Sequence, residues 1–297
     1  MCAVKMRPDE VDVDAALVRR LVAGQFPRWA SLPVERLESS GTENAMFRLG
    51  ADKVVRLPRY PGAVESVAHE RLWLERLGPR LSVAAPVPLE RGAPGEGFPW
   101  PWSVYRWLDG RNPVAGALER PEALAADLGA FVAGLRRVDA RGGPPGHRGV
   151  PLAERDAPTR SAIARLAGRI DTAAVTALWE DALRAPGRTA PPAWAHGDLS
   201  PGNVLVADGR LAAVIDFGSV GVGDPAVDLI VAWNLLPAPA RAAFRAAVGA
   251  DDAEWARGRG WALSISLIQL PFYWETNPPL AENSRHVIRE VLAEAGR

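Results

Sequence analysis

Apolar residues recur at helical spacing over residues 12–25, where Ala16, Val18, Leu21 and Val22 sit among charged positions, so a helix is expected there. Two short apolar-rich runs follow, 45–49 and 53–57, parted by Gly50-Ala51-Asp52, and together they read as a β-hairpin. Within 63–77, Val67, Glu70, Leu74 and Leu77 fall at steps of three and four, which predicts a helix ended by Gly78-Pro79. One member of that stripe is a carboxylate, and a carboxylate on an otherwise apolar face needs a partner. Pro and Gly crowd 85–101, which reads as a surface excursion, and 103–108 is a further strand broken by Asp109-Gly110.

After Gly110 the pattern turns helical. Residues 121–138 and 159–183 have helical composition and spacing, with a Gly/Pro-rich loop at 141–151 between them. A second hairpin is expected from 204–206 and 212–215 around Asp208-Gly209, and everything from Pro225 onward reads as helix. The longest apolar run, 261–274, contains Ser264, Ser266, Gln269 and Pro271. It is too short and too polar to span a bilayer, and a buried helix is expected instead. The pattern therefore predicts an α+β chain of two lobes: a small β-rich lobe over 1–108, a connector at about 106–110, and a larger, mainly helical lobe over 109–297.

Composition narrows the partners. Lys plus Arg equals Asp plus Glu at 35 each, so no net field recruits nucleic acid or a membrane, and neither is expected as a partner. No obligate protein partner is expected either. The single Cys2 cannot form an internal disulfide, and residues 1–20 lack the apolar core of a signal peptide; a soluble, cytoplasmic protein is expected.

The decisive segment is His196-Gly197-Asp198-Leu199-Ser200-Pro201-Gly202-Asn203, followed by Ile215-Asp216-Phe217-Gly218. It resembles the catalytic and metal-binding loops of the aminoglycoside phosphotransferase family, whose members share the bilobal protein-kinase-like fold. The resemblance implies a small-molecule kinase that moves the γ-phosphoryl group of ATP, or GTP, to an alcohol. Such transfer needs an in-line alcohol and neutralised phosphate charge more than covalent help from the protein. Asp198 would orient the alcohol and accept its proton. Asn203 and Asp216 would supply the hard oxygen ligands that Mg²⁺ requires. His196 is expected to hold the loop by hydrogen bonding, and Asp228 to brace it.

The same resemblance places the nucleotide in the small lobe. Thr42, in Ser39-Ser40-Gly41-Thr42-Glu43-Asn44, would contact the β- and γ-phosphates with neighbouring backbone N–H groups. Arg56 stands where kinases place a lysine. It shares a strand face with Val54, whereas Lys53, the alternative, points the other way with Val55. A guanidinium suits phosphate oxygens, and Glu70 would hold it in place. Tyr105 would lie near the inner edge of the adenine, with backbone groups of Arg106 and Leu108 bonding the base.

Several features exclude a protein kinase. The loop reads His-Gly-Asp, Ser200 replaces the usual lysine, no Gly-rich G-x-G-x-x-G loop is present, and Asp216-Phe217-Gly218 reaches Asp224-Pro225 within a few residues, leaving no room for an activation segment. Asp224 followed by Pro225 reads as a helix N-cap. The acceptor is expected to be a compact alcohol, an aminoglycoside or other antibiotic. Trp274 and Glu275, where aromatic and acidic groups meet at a helix end, are the first candidates to line its pocket. Two readings compete: a metabolic kinase for a sugar, amino alcohol or nucleoside, and a non-catalytic nucleotide-binding regulator. A pure binder has no need of Asp198, which argues against the second.

Overall fold

The computed structural model describes residues 9–37 and 43–296. It divides into two compact units: one of Met1–Pro79, Ala84–Asp109 and Ile215–Gly218, and the other of Arg80–Val83, Gly110–Val214 and Ser219–Arg297.

The first unit is built on a five-stranded antiparallel sheet. Its elements are α1 (Ala15–Gln25), β1 (Val34–Arg36), β2 (Asn44–Leu49), β3 (Lys53–Pro58), α2 (Pro61–Leu77), β4 (Pro88–Gly92) and β5 (Trp102–Arg106). The strand order is β1-β2-β3-β5-β4. Helix α1 starts one turn later than 12, because the Asp14 carboxylate caps it by accepting from Leu17 N at 2.7 Å. Strand alternation sorts the sheet into two faces. Phe47, Leu49, Val55, Leu57, Trp102 and Val104 pack into one core with Leu17, Val18, Leu21 and Val22 of α1. Arg56, Ser103 and Tyr105 take the opposite parity, and α2 meets that side through Glu70.

One expectation is corrected here, and one strand was missed. The Pro/Gly-rich stretch 85–101 is not merely an excursion, since it contains β4, the edge strand beside β5. Gly92 permits this: a Cβ there would lie 2.0 Å from Trp102 Cε2, so a bare backbone is what lets the indole close the core. Strand β1 went unforeseen because three residues carry no readable alternation.

The second unit is mainly helical. It contains α3 (Pro121–Arg136), α4 (Asp156–Arg165), α5 (Thr172–Arg184), β6 (Ala193–Ala195), β7 (Val204–Ala207), β8 (Arg210–Val214), β9 (Gly221–Gly223), α6 (Val231–Asn234), α7 (Ala238–Val248), α8 (Asp252–Tyr273) and α9 (Pro278–Glu294). The helix expected over 159–183 is two helices, parted at a turn where Gly168 adopts φ +76°. The apolar run 261–274 lies almost wholly in α8, which is buried along most of its length. No helix among the described residues is long and apolar enough to cross a membrane. Strands β7 and β8 form a hairpin with Val204 opposite Val214, and β6 pairs with β9. Asn203 therefore directly precedes the hairpin, and Asp216 follows its last strand by two residues.

Candidate active site

In the second unit the segment from His196 to Asn203 leaves β6 as a tightly held loop. Asp228, wholly buried, accepts from His196 N and Gly197 N at 2.8 Å each. Burial pushes its carboxyl pKa up, opposed by the neighbouring His196 ring and by those two N–H donors. His196 is also buried, and its Nδ1 accepts from Asp198 N at 3.3 Å, so it serves the loop's shape. Gly197 takes φ +80°, and a Cβ there would lie 2.7 Å from Ser219 O.

These contacts hold Asp198 partly exposed, with its side chain at 34%. Asn203 binds it twice: Nδ2 donates to Asp198 O at 2.8 Å and to Oδ2 at 3.1 Å. The other carboxylate oxygen, Oδ1, accepts from Arg148, which also donates to Gly197 O at 3.0 Å. Asn112 ties the far end of the loop, donating to Gly202 O and Val204 O at 2.9 Å.

In the first unit Arg56 is almost enclosed. Its Nη1 donates to Glu70 Oε1 at 2.6 Å and its Nη2 to Asp216 Oδ1 at 2.9 Å. Asn44, with its amide oxygen turned toward the guanidinium, accepts from Nε and Nη2 at 3.0 Å. Burial alone would depress the pKa of Arg56, but Glu70 and Asp216 outweigh it and the net direction is upward. Glu70 also accepts from Phe217 N at 2.7 Å and from the Tyr105 hydroxyl at 3.0 Å. Asp216 itself sits at φ +64°, a conformation that Asp tolerates better than most residues.

A model of the phosphotransferase enzyme family matches residues 35–261. The chain belongs to that family. An aminoglycoside 3'-phosphotransferase of Escherichia coli is 37% identical over 59 residues, which is 20% of this chain and 22% of the relative. The match thus spans about a fifth of that curated relative. Among solved structures, the GDP and kanamycin complex of APH(2")-IIia is 19% identical, with a TM-score of 0.76 over 93% of this chain and 98% of the other. The macrolide 2'-phosphotransferase MphH of Brachybacterium faecium is 24% identical, with a TM-score of 0.63 over 92% of this chain and 97% of that one. At these identities the structures establish the fold: the protein-kinase-like bilobal α+β architecture of phosphotransferases.

Within that family frame, five of the residues singled out from the sequence form two groups. Arg56, Glu70 and Asp216 meet in the first unit, and Asp198 and Asn203 meet in the second. Lys53, the alternative cation, instead bonds Asp52 Oδ1 at 2.6 Å. Tyr105 and Arg106 sit at the end of β5. The Tyr105 hydroxyl turns inward to Glu70, and Arg106 N is taken by Val87 O at 3.0 Å because β5 is paired on both sides. Leu108 lies past the end of β5, half-buried in irregular backbone. Trp274, in the turn after α8, has the Arg169 and Arg285 guanidiniums at 4.5 and 4.4 Å from its ring, and Glu275 beside it is exposed. Thr42 lies outside the described residues.

Arg148 and Asn44 were not foreseen as members of the site. Asn44 closes the segment from Ser39 in which only Thr42 was given a role, whereas Arg148 lies 50 residues from Asp198 with only its Gly/Pro-rich surroundings as a signal.

The amide oxygen of Asn203 is of the kind a hard cation takes. Asn203 spends its amide nitrogen on Asp198, and among the described residues its Oδ1 accepts from no protein donor, so a carbonyl oxygen remains for a metal. Among the described residues no group of three or more His, Cys, Asp or Glu is placed to hold a metal ion by itself.

Proposed function

We propose that this protein transfers the γ-phosphoryl group of ATP or GTP to a hydroxyl of a small molecule, with an aminoglycoside, macrolide or other antibiotic the first acceptor class to test. The observation that carries this reading is the coupling of Asp198 to Asn203. One amide nitrogen fixes the carboxylate while leaving the amide oxygen for a cation. A pure nucleotide binder has no use for a partly exposed carboxylate so placed.

On this reading residues 1–108 hold the nucleotide and 109–297 hold the catalytic loop and the acceptor. Asp198 accepts the proton of the acceptor alcohol as its oxygen bonds to the γ-phosphorus and the bond to the diphosphate breaks. Arg56, positioned by Glu70, places positive charge toward the phosphates. Asn203 and Asp216 would hold Mg²⁺, which when bound neutralises charge on the phosphate oxygens. Backbone groups at Arg106 and Leu108 would meet the base, Arg106 through its carbonyl since its N–H is taken. Thr42 would cover the phosphates, and Trp274 with Glu275 would contact the acceptor.

The test is incubation of purified protein with Mg-ATP or Mg-GTP and a panel of aminoglycosides, macrolides, nucleosides and small alcohols, each followed by mass spectrometry for one added phosphoryl group. Failure of every acceptor, together with failure to bind either nucleotide, would sink the reading.

A further inference from the structure

Asp198 is gripped at both carboxylate oxygens, and the two grips are not alike. Asn203 Nδ2 donates to Oδ2 at 3.1 Å and to the Asp198 carbonyl at 2.8 Å. The same amide has its oxygen left for a cation, so Asn203 would answer to the metal as well as to the base. Arg148 donates through Nη1 to Oδ1 and also to Gly197 O at 3.0 Å. One nitrogen thus ties the carboxylate to the backbone of the preceding residue, with no metal involved. Hydrogen bonds between ionised partners are roughly twice as strong as neutral ones. Both side chains are partly exposed, so solvent screens some of that gain.

The backbone aims Arg148 without help from its side chain. Val222 N donates to Pro144 O at 2.8 Å, Gly146 N to Val222 O at 3.0 Å, and Asp224 N to Gly149 O at 2.7 Å, so both flanks of Arg148 are stitched to β9. Gly149 adopts φ +91°, and a Cβ there would lie 2.9 Å from Asp224 O; the close approach requires glycine. His147 is exposed, whereas Arg148, the next residue along, is half-buried. Removing the guanidinium leaves these backbone bonds in place, and the loss falls on Asp198.

A base works only within hydrogen-bond reach of the proton it takes. A misplacement of about 1 Å can cost about 10²-fold in rate. An aspartate held at one oxygen can still swing about its side-chain torsions, and a second hold on the other oxygen stops it. The double grip leaves room for chemistry, because a carboxylate has about four lone-pair sites and Arg148 and Asn203 take one on each oxygen.

We propose that Arg148 is a positioning residue for the base: it fixes the Asp198 carboxylate for the acceptor hydroxyl whether or not a metal engages Asn203. The proposal rests on the reading of Asp198 as the base.

The test compares full-length wild type, R148Q, R148K and R148A with Mg-ATP and, in turn, kanamycin, erythromycin, adenosine and glycerol, taking kcat and KM on whichever acceptor wild type turns over fastest. Where none is taken up, release of inorganic phosphate from Mg-ATP gives the same comparison, with water in place of the alcohol. R148Q should lower kcat roughly tenfold to a hundredfold while KM for ATP stays within about twofold. R148K, which keeps the charge as a point and not a fork, should recover part of kcat. R148A should regain activity severalfold with guanidinium chloride added far below denaturing concentrations, and not with sodium chloride at the same ionic strength. A damaged fold would instead raise KM for ATP, lower the melting temperature and ignore guanidinium. Unchanged kcat in R148Q and R148A, or a loss that neither lysine nor guanidinium relieves, overturns the proposal and leaves the kinase reading intact. Failure of wild type to bind Mg-ATP strikes the kinase reading, and the proposal falls with it.

Discussion

Arg56 donates to Glu70 at 2.6 Å from inside the first unit, with 7% of the arginine side chain and none of the glutamate exposed to solvent. A pair so placed acts as structure as much as chemistry. The same carboxylate receives Phe217 N and the Tyr105 hydroxyl, so one side chain joins β3, β5, α2 and the segment that carries Asp216.

Glu70→Ala should therefore leave a buried cation and two orphaned donors. Removing one partner of a buried pair costs about 3–5 kcal/mol. Urea unfolding should show a loss of that order, and any folded remainder should bind nucleotide more weakly. A loss below about 1 kcal/mol would mean that Arg56 is satisfied elsewhere.

Asp127 of α3 accepts from Arg210 Nε and Nη2 at 2.6 Å each and from Leu211 N at 3.2 Å, anchoring the β7–β8 hairpin that follows Asn203. The Arg210 hydrogen bonds hold its carboxyl below the ordinary 3.8. A lowered pKa in the folded state means that the unfolded chain binds more protons on acidification. The stabilisation is thus present above about pH 4 and disappears as the pH falls below it. Asp127→Asn should cost less than about 1 kcal/mol at neutral pH, because Arg210 is largely exposed. The difference from wild type should shrink as the pH falls below about 4, and denaturation curves at pH 7 and pH 3 would check this.

Gly129 sets α3 against α7. A Cβ there would lie 2.6 Å from Ala247 Cβ and 2.8 Å from Phe244 O. Alanine would gain about 1 kcal/mol of helix propensity. Overpacking against backbone costs about 1–3 kcal/mol. The clash should win, and Gly129→Ala should lower stability by about 1–2 kcal/mol in thermal or urea unfolding.

Where a residue's partners are close in sequence or its face is periodic, the sequence alone was informative. The stripe Val67, Glu70, Leu74, Leu77 foretold a buried carboxylate in need of a cation, and strand parity chose Arg56 over Lys53. The loop from His196 to Asn203 was legible because its chemistry is written in consecutive residues. Arg148 was not, because its aim at Asp198 depends on a loop pinned to β9 some 75 residues further along, and no local pattern encodes that. Three-residue strands such as β1, β6 and β9 escaped for a related reason, since pairing with a distant partner defines them and propensity does not. Strand β4 was hidden by the Pro and Gly around it, although an edge strand tolerates both.

The measurement that bears most directly on the central claim is phosphoryl transfer by wild type and Asp198→Asn with the best acceptor from the panel, alongside ADP affinity for both proteins. The asparagine keeps the size of the side chain but cannot take the alcohol's proton. Wild type should add one phosphoryl group per acceptor. The variant should turn over roughly 10²–10⁴-fold more slowly, with ADP affinity within about twofold of wild type. Undiminished transfer by Asp198→Asn would contradict the assignment of Asp198 as the base.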